Sequence, residues 1–222
     1  MKCWAKGVSE CSSTQSREHY ISKGLFSDKT LFVENAPFLG GESKEIAKAS
    51  LTKKCLCKKH NEQLSVYDDE AIRFGEALKY CLELSAKRRN STAKKFSPHR
   101  KDVDVDRFSR WLLKTYLGLF EFFKYPSAIA PETLAALVFS KPAVTDFLRL
   151  EVSMAVSEEF QIVEVVSIAP LEKDGRTIGM QVQLYGVRLN CFFSDKPEYK
   201  QKPLKIRFSE YNQGKSCEIR FR

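Results

Sequence analysis

Four of the seven cysteines fall within the first 57 residues, at positions 3, 11, 55 and 57, in a stretch with few periodically spaced apolar residues. Residues 1–66 therefore carry too little apolar surface to fold by hydrophobic burial alone. An odd number of cysteines argues against a fully paired disulfide framework, and clustered cysteines in a reducing compartment favour a metal site. This segment is accordingly predicted to depend on a metal ion for its stability.

The zinc ligands can be chosen from the spacing of the residues. Cys57 and His60 stand three residues apart, which lets both bind one zinc ion at the start of a helix. Cys3 and Cys11, on a preceding loop, complete a predicted tetrahedral site. Cys55 would face the same side as Cys57 in an extended segment, so it is the substitute ligand if Cys3 or Cys11 does not bind. The alternative is a set of buried thiols without metal.

The spacing of apolar residues changes along the chain. From 68 to 150 they recur every three or four positions, as on the buried face of a helix. From 151 to 222 they alternate with polar residues, and Asp174-Gly175 is a hairpin signal between the first two strands. The sequence thus predicts an α+β chain with a metal-bound module at 1–66, a helical segment at 68–150 and an antiparallel β region at 151–222.

The net charge of +9 is concentrated in the middle of the chain, where residues 71–124 hold 13 basic and 6 acidic groups. The stretch 87–101 carries no acidic residue and includes a proline, which is typical of an exposed basic linker. Such a linker attracts nucleic-acid phosphates. Its candidate phosphate-binding residues are Arg88, Arg89, Lys94, Lys95, Arg100 and Lys101. The alternative is a solvated charge run, and His99 within it is interpreted as a solvated side chain.

A short set of residues in the first third of the chain has the order of a nuclease motif. A carboxylate and an imidazole are adjacent, and further on a cysteine and a second imidazole are followed directly by an amide. In order along the chain these residues are Glu18, His19, Cys57, His60 and Asn61. This order resembles the ββα-metal module of the HNH endonucleases, of the kind found in uncharacterised microbial and phage proteins with a C-terminal extension. The resemblance covers 1–66, under a third of the chain.

The resemblance implies a fold, a site and a substrate. The implied fold of 1–66 is a zinc-stapled ββα module. By the family's pattern, Glu18 and Asn61 would hold a catalytic Mg²⁺ or Mn²⁺ ion, and His19 would activate water for phosphodiester hydrolysis. The resemblance implies DNA as the substrate, with RNA left open, and suggests a role in microbial or phage defence.

One departure from the family leaves a second function open. The family's middle asparagine, which orients the histidine, is absent here, and only Thr52 approximates its place. A chain that kept the zinc fold without catalysis would be a nucleic-acid-binding or partner-sensing protein, with the predicted C-terminal sheet as the surface for a protein partner.

Targeting signals are not evident in the sequence. It has no run of about 18 consecutive apolar residues, and Met1 to Trp4 begin neither a signal peptide nor a basic amphipathic helix. The chain is therefore expected to be cytoplasmic and to have no membrane partner.

Overall fold

The computed structural model defines a mixed α and β fold, which confirms the predicted fold class at that level. It describes residues 3–34, 39–89, 91–92, 97–121, 126–154, 165–197, 199, 204–208 and 217–222.

A two-stranded antiparallel sheet with a helix at its end forms the first unit. Strand β1 (Gln15–His19) pairs with β4 (Thr52–Cys57), and α1 (Lys58–Gln63) begins directly after β4. Cys57 is the N-cap of α1, because its backbone is extended and its side chain accepts a hydrogen bond from the amide of His60. The end of a strand and the start of a helix therefore meet at one residue.

The largest sheet combines strands from both ends of the chain. Its order is β3-β2-β7-β8-β9-β6, six strands in all. The bounds are β2 (Thr30–Glu34), β3 (Lys44–Ala47), β6 (Leu148–Met154), β7 (Val165–Lys173), β8 (Arg176–Leu184) and β9 (Val187–Phe193). The predicted hairpin turn is confirmed, since Asp174 and Gly175 both have positive φ between β7 and β8.

A third sheet has the order β10-β11-β5. Strand β10 (Lys205–Phe208) pairs antiparallel with β11 (Cys217–Phe221), and β11 pairs in parallel with β5 (His99–Val103). Strand β5 lies in the stretch predicted to be an exposed linker. The linker prediction is therefore wrong for residues 87–89, which end a helix, and for residues 99–101, whose parallel partner comes from much later in the sequence.

The helical part is close to its prediction. Helix α2 spans Ser65–Arg89, α3 spans Val105–Tyr116 and continues as a π-helical turn over Leu117–Glu121, and α4 spans Pro131–Phe139. The side chain of Asp104 caps α3 by accepting a hydrogen bond from the amide of Arg107. Helix α4 begins at Pro131. Among the described residues, no helix has the length and apolar character needed to span a bilayer.

One hydrophobic core joins these elements, with buried side chains contributed from Cys3 through to Phe221. At its centre, Phe74 of α2 packs on Phe108 of α3 at 4.7 Å and on Phe221 of β11 at 5.6 Å between ring centroids. The predicted boundaries at 66 and 150 do not coincide with sheet boundaries, because β2 pairs with β7 and β6 starts at Leu148. The predicted antiparallel C-terminal sheet thus gains a parallel strand from the N-terminal segment.

Candidate metal centre and its surroundings

Cys3, Cys11, Cys57 and His60 come together in one cluster. Their ligand atoms all lie within 4.8 Å of one another, so the group could hold a metal ion such as zinc. Cys57 and His60 are placed by the β4–α1 junction, and the N-terminal segment is held beside it by a bond from the Trp4 amide to the Cys55 carbonyl. The predicted set of four ligands is confirmed as a group.

The geometry fits tetrahedral zinc. Bonds of about 2.3 Å to sulfur and about 2.1 Å to nitrogen at tetrahedral angles separate the two donor atoms by about 3.6 Å. His60 Nδ1 lies 3.2 Å from the sulfur of Cys57, 3.4 Å from that of Cys3 and 3.8 Å from that of Cys11. The other ring nitrogen, Nε2, lies 2.8 Å from the Ser9 hydroxyl, a contact that fixes the ring orientation of a ligand histidine.

The thiols of the cluster differ in acidity. Burial raises the pKa of Cys57, but hydrogen bonds from the His60 amide and from Ser12 outweigh it and lower that pKa to about 6. Burial and the neighbouring thiols of Cys3 and Cys57 raise the pKa of Cys11 to about 11. Because zinc binds thiolates, Cys57 is ready to bind at neutral pH, whereas Cys11 must lose a proton to the solvent when metal arrives.

Cys55 is not a member of the cluster. It lies on β4 two residues before Cys57 and is buried, and burial raises its pKa to about 12. The four clustered ligands make a substitute unnecessary, so Cys55 remains a small buried side chain.

Glu18, a predicted ligand of the catalytic cation, lies in a buried ion network. Its carboxylate is bonded to the ammonium group of Lys114 on α3, which also lies 2.7 Å from Asp68 Oδ1 on α2. Ser22 donates to the same Asp68 oxygen and accepts the indole N–H of Trp111 at 2.8 Å. Glu18 therefore holds β1 to the two long helices.

His19 follows Glu18 on β1, so its side chain leaves the opposite face of the strand. It is half-buried, and its pKa is lowered by burial and then by the positive charges of Lys23 and Lys114. A neutral imidazole is favoured as a result. Thr52 lies directly across the ladder from His19, but its hydroxyl accepts the Nε–H of Arg17 at 3.0 Å.

Asn61 lies on α1, immediately after His60. Its Nδ2 donates to the Ser16 hydroxyl at 2.9 Å and to the Arg17 carbonyl at 3.4 Å, which ties α1 to β1. Its Oδ1 is buried and has no hydrogen-bond partner within the described part of the chain. Leaving a buried amide oxygen without a partner costs free energy of folding, unless another group binds to that oxygen. An amide oxygen is a suitable ligand for a hard cation.

The predicted phosphate-binding residues have different surroundings. Arg88 is buried and donates to the carbonyl of Ser97, which is not the exposed position that was predicted. Lys101 lies over the Tyr80 ring, and Arg100 pairs with Glu218.

Lys94 and Lys95 lie outside the described residues, as does the side chain of Arg89. His99, expected to be solvated, contacts the Tyr80 hydroxyl through Nδ1 at 2.8 Å.

Lys114 is the important residue that sequence reasoning missed. It is 2% exposed although it is charged. A signal was present, because Lys114 follows Trp111 by three residues and therefore shares the apolar face of α3. A lysine on a buried face requires an acidic partner, and Lys114 has two, Asp68 on α2 and Glu18, which lies 96 residues away.

Comparison with known proteins gives no relative. No protein-family model, no curated protein and no solved structure matches this chain.

Proposed function

We propose that this chain is a metal-dependent endonuclease that hydrolyses phosphodiester bonds in DNA. One observation carries the proposal: Asn61 follows a residue of the metal cluster, is tied to β1, and has a buried Oδ1 with no partner among the described residues. The Cys/His cluster supports it, since it holds α1 next to the strand that bears His19.

In this proposal His19 acts as the general base. Burial and the charges of Lys23 and Lys114 keep its imidazole neutral, so it can take a proton from water near neutral pH. A divalent cation such as Mg²⁺ or Mn²⁺, when bound, would stabilise negative charge on the phosphate and the leaving oxygen. Asn61 would offer Oδ1 to that cation, while its Nδ2 keeps α1 positioned against β1.

Glu18 does not fit the ligand role that the nuclease resemblance gives it while its carboxylate is bonded to Lys114. In the proposal Glu18 is a positioning residue, which fixes the backbone of β1 and thereby the imidazole of His19.

A second candidate is a zinc-stabilised nucleic-acid-binding or partner-sensing protein without catalysis. Two contacts favour it. Glu18 is neutralised by Lys114, and Thr52, in the place of the family's asparagine, uses its hydroxyl for Arg17 and not for His19.

A nicking assay separates the two candidates. Supercoiled plasmid and a labelled RNA are incubated with protein and Mg²⁺ or Mn²⁺, and the rates are compared between wild type, His19→Ala and Asn61→Ala. His19→Ala should lose cleavage by about a hundred- to ten-thousand-fold with its zinc content unchanged, and Asn61→Ala should require more Mg²⁺.

His99→Ala is the matched control. It removes an imidazole on β5, a strand of another sheet, where the ring is bonded to Tyr80 of α2, so this variant should cleave like wild type. Absence of metal-dependent cleavage of either substrate by folded, zinc-loaded wild type would overturn the nuclease proposal and favour the binding protein.

A further inference from the structure

The outward face of the three-stranded sheet β10-β11-β5 carries two rows of charged side chains. The ladder register places Arg207, Glu218 and Arg100 side by side in one row, and Lys205, Arg220 and Asp102 in the next. The intervening residues Ile206, Ile219 and Phe221 are buried in the core. On β10 and β11 the alternation therefore separates an apolar inner face from a charged outer face. On the edge strand β5, Lys101 is in register with Ile219 and lies over the Tyr80 ring.

Glu218 is surrounded by guanidinium groups. Its carboxylate oxygens lie 3.2 Å from Arg100 Nε and 3.7 Å from Arg207 Nε, and the guanidinium of Arg220 also contacts it. Burial raises the pKa of Glu218, but hydrogen bonds and charge from Arg220 and Arg100 lower it overall. One carboxylate cannot neutralise three guanidinium groups, so this part of the sheet has surplus positive charge.

The arginines are held in place and still reach solvent. Arg100 and Arg207 contact Glu218 through Nε, and their side chains are 50% and 62% exposed. Arg222, at the end of β11, pairs with Asp102 at 3.2 Å and is 60% exposed. With Lys205, the described part of this face has five basic groups against the acidic Glu218 and Asp102. Anchoring by Glu218 lowers the entropy that these side chains lose when they bind a ligand.

The chemistry of this face fits phosphates better than a lipid surface. A guanidinium group presents a planar fork of N–H donors that matches phosphate oxygens. Strands about 4.8 Å apart put the Cα atoms of Arg207 and Arg100 roughly 10 Å apart, so both guanidinium groups can contact phosphates of one ligand. Lipid binding would favour apolar side chains beside the cations, but the large hydrophobic side chains exposed within the described residues, Phe32 and Val66, lie on other elements.

We propose that this face, defined by Arg100, Lys205, Arg207, Arg220 and Arg222 around Glu218, is a docking surface for the sugar-phosphate backbone of duplex DNA. The choice of DNA rests on the proposed function, but the surface lies on a different sheet from His19, and Asn61 lies on helix α1. It holds the substrate without reading its bases, since its groups are suited to phosphates.

The test measures binding apart from cleavage. Full-length His19→Ala protein is titrated into a fluorescein-labelled DNA duplex at several salt concentrations, and fluorescence anisotropy gives the affinity. Adding Arg100→Gln and Arg207→Gln leaves Arg220 to pair with Glu218. Each substitution should weaken binding to duplexes of unrelated sequence by the same factor. Each should also make the fall of log affinity with log salt concentration less steep by about one, because one phosphate contact is lost.

The control pair Arg176→Gln and Arg188→Gln makes the same change in net charge at exposed positions of the six-stranded sheet and should leave affinity and slope near those of the parent. Equal losses in both pairs, or no loss in either, would overturn the proposal. If the first pair unfolds, Lys205→Gln with Arg222→Gln gives the same comparison from the rim of the face.

Two further probes test the partner. Binding of the Arg100→Gln, Arg207→Gln variant is also measured to single-stranded RNA and to phosphatidylserine vesicles. If the variant keeps its affinity for DNA and loses binding only to the RNA or only to the vesicles, DNA is not the ligand of this face. The two proposals can fail separately. If wild type cuts nothing, the nuclease proposal fails, but the docking surface is still supported when Arg100→Gln with Arg207→Gln weakens DNA binding.

Discussion

The ammonium group of Lys114, on α3, is buried against the carboxylate of Glu18, on β1. It also contacts Asp68 on α2, so three elements meet at one charged side chain. Burial disfavours the charged lysine, but the two carboxylates outweigh it and raise the pKa of Lys114. The strand that carries His19 is thereby fixed to the helices by electrostatics as well as by apolar packing.

Lys114→Met should strongly destabilise the fold, because it leaves buried carboxylates without a cation. Removing one partner of a buried pair costs about 3 to 5 kcal/mol, which denaturant unfolding would measure. The double variant Lys114→Met with Glu18→Gln should recover part of that loss, since a neutral amide replaces one stranded charge. A Lys114→Met protein as stable as wild type would contradict the network.

Zinc should be held at one ion per chain and lost on Cys57→Ser. The three other ligands cannot complete a tetrahedral site, so the metal content by elemental analysis and the stability of the unit formed by β1, β4 and α1 should both fall. Cys55→Ser is the matched control, because Cys55 is a buried thiol of the same strand outside the cluster. Equal zinc loss in both variants would show that the cluster is not the site.

Zinc affinity should also rise with pH above neutral. The pKa of Cys11 is raised to about 11, so binding at pH 7 to 9 must displace its proton. Competition with a chelator of known affinity, measured at several pH values, should show about a tenfold gain per pH unit for each proton released. An affinity independent of pH in this range would mean that Cys11 is not a thiolate ligand.

If His19 is the general base, its pKa sets the pH below which cleavage declines. The pKa of His19 is lowered by burial and by Lys23 and Lys114, so the catalytically active neutral form persists below the ordinary midpoint of about 6.5. Lys23→Met removes one positive charge and should move the midpoint of kcat/KM to higher pH. Lys29→Met, at another exposed position, should leave it in place.

Cys81 and Cys217 should form a disulfide on mild oxidation. Their sulfur atoms lie 2.8 Å apart between α2 and β11. The hydrogen bond between the two thiols lowers the pKa of Cys217, as do the charges of Arg88 and Lys101. Diamide would accept the two hydrogens and be reduced to a hydrazine. Intact mass and alkylation after unfolding should show one bond, which Cys81→Ala abolishes and Cys191→Ala does not.

The metal cluster was predictable because half of it is local. Cys57 and His60 are three residues apart at a strand–helix junction, so their spacing alone specifies a shared ligand direction. The adjacent Asn61 was singled out by the resemblance to the nuclease motif and not by its spacing. The helices and strands β7 to β11 followed from apolar periodicity, which reports on which side of an element is buried.

What the sequence left open depends on partners distant along the chain. The charge of Arg88 does not show that its helix carries it inward, toward Ser97 and the Cys81–Cys217 pair. Nor does the pattern of β2 show that it joins β7, because pairing registers are set by contacts over long separations. The role of Lys114 was hidden for the same reason.

The pairing of β2 with β7 has a consequence for how the chain folds while it is being made. The four cluster residues have all left the ribosome soon after residue 60, so metal can bind early. Phe32 of β2, however, must wait for Val165, on the order of ten seconds later at about 5–20 residues per second. During that interval the β2–β3 hairpin presents an unpaired edge, to which a strand of another chain could pair before β7 arrives.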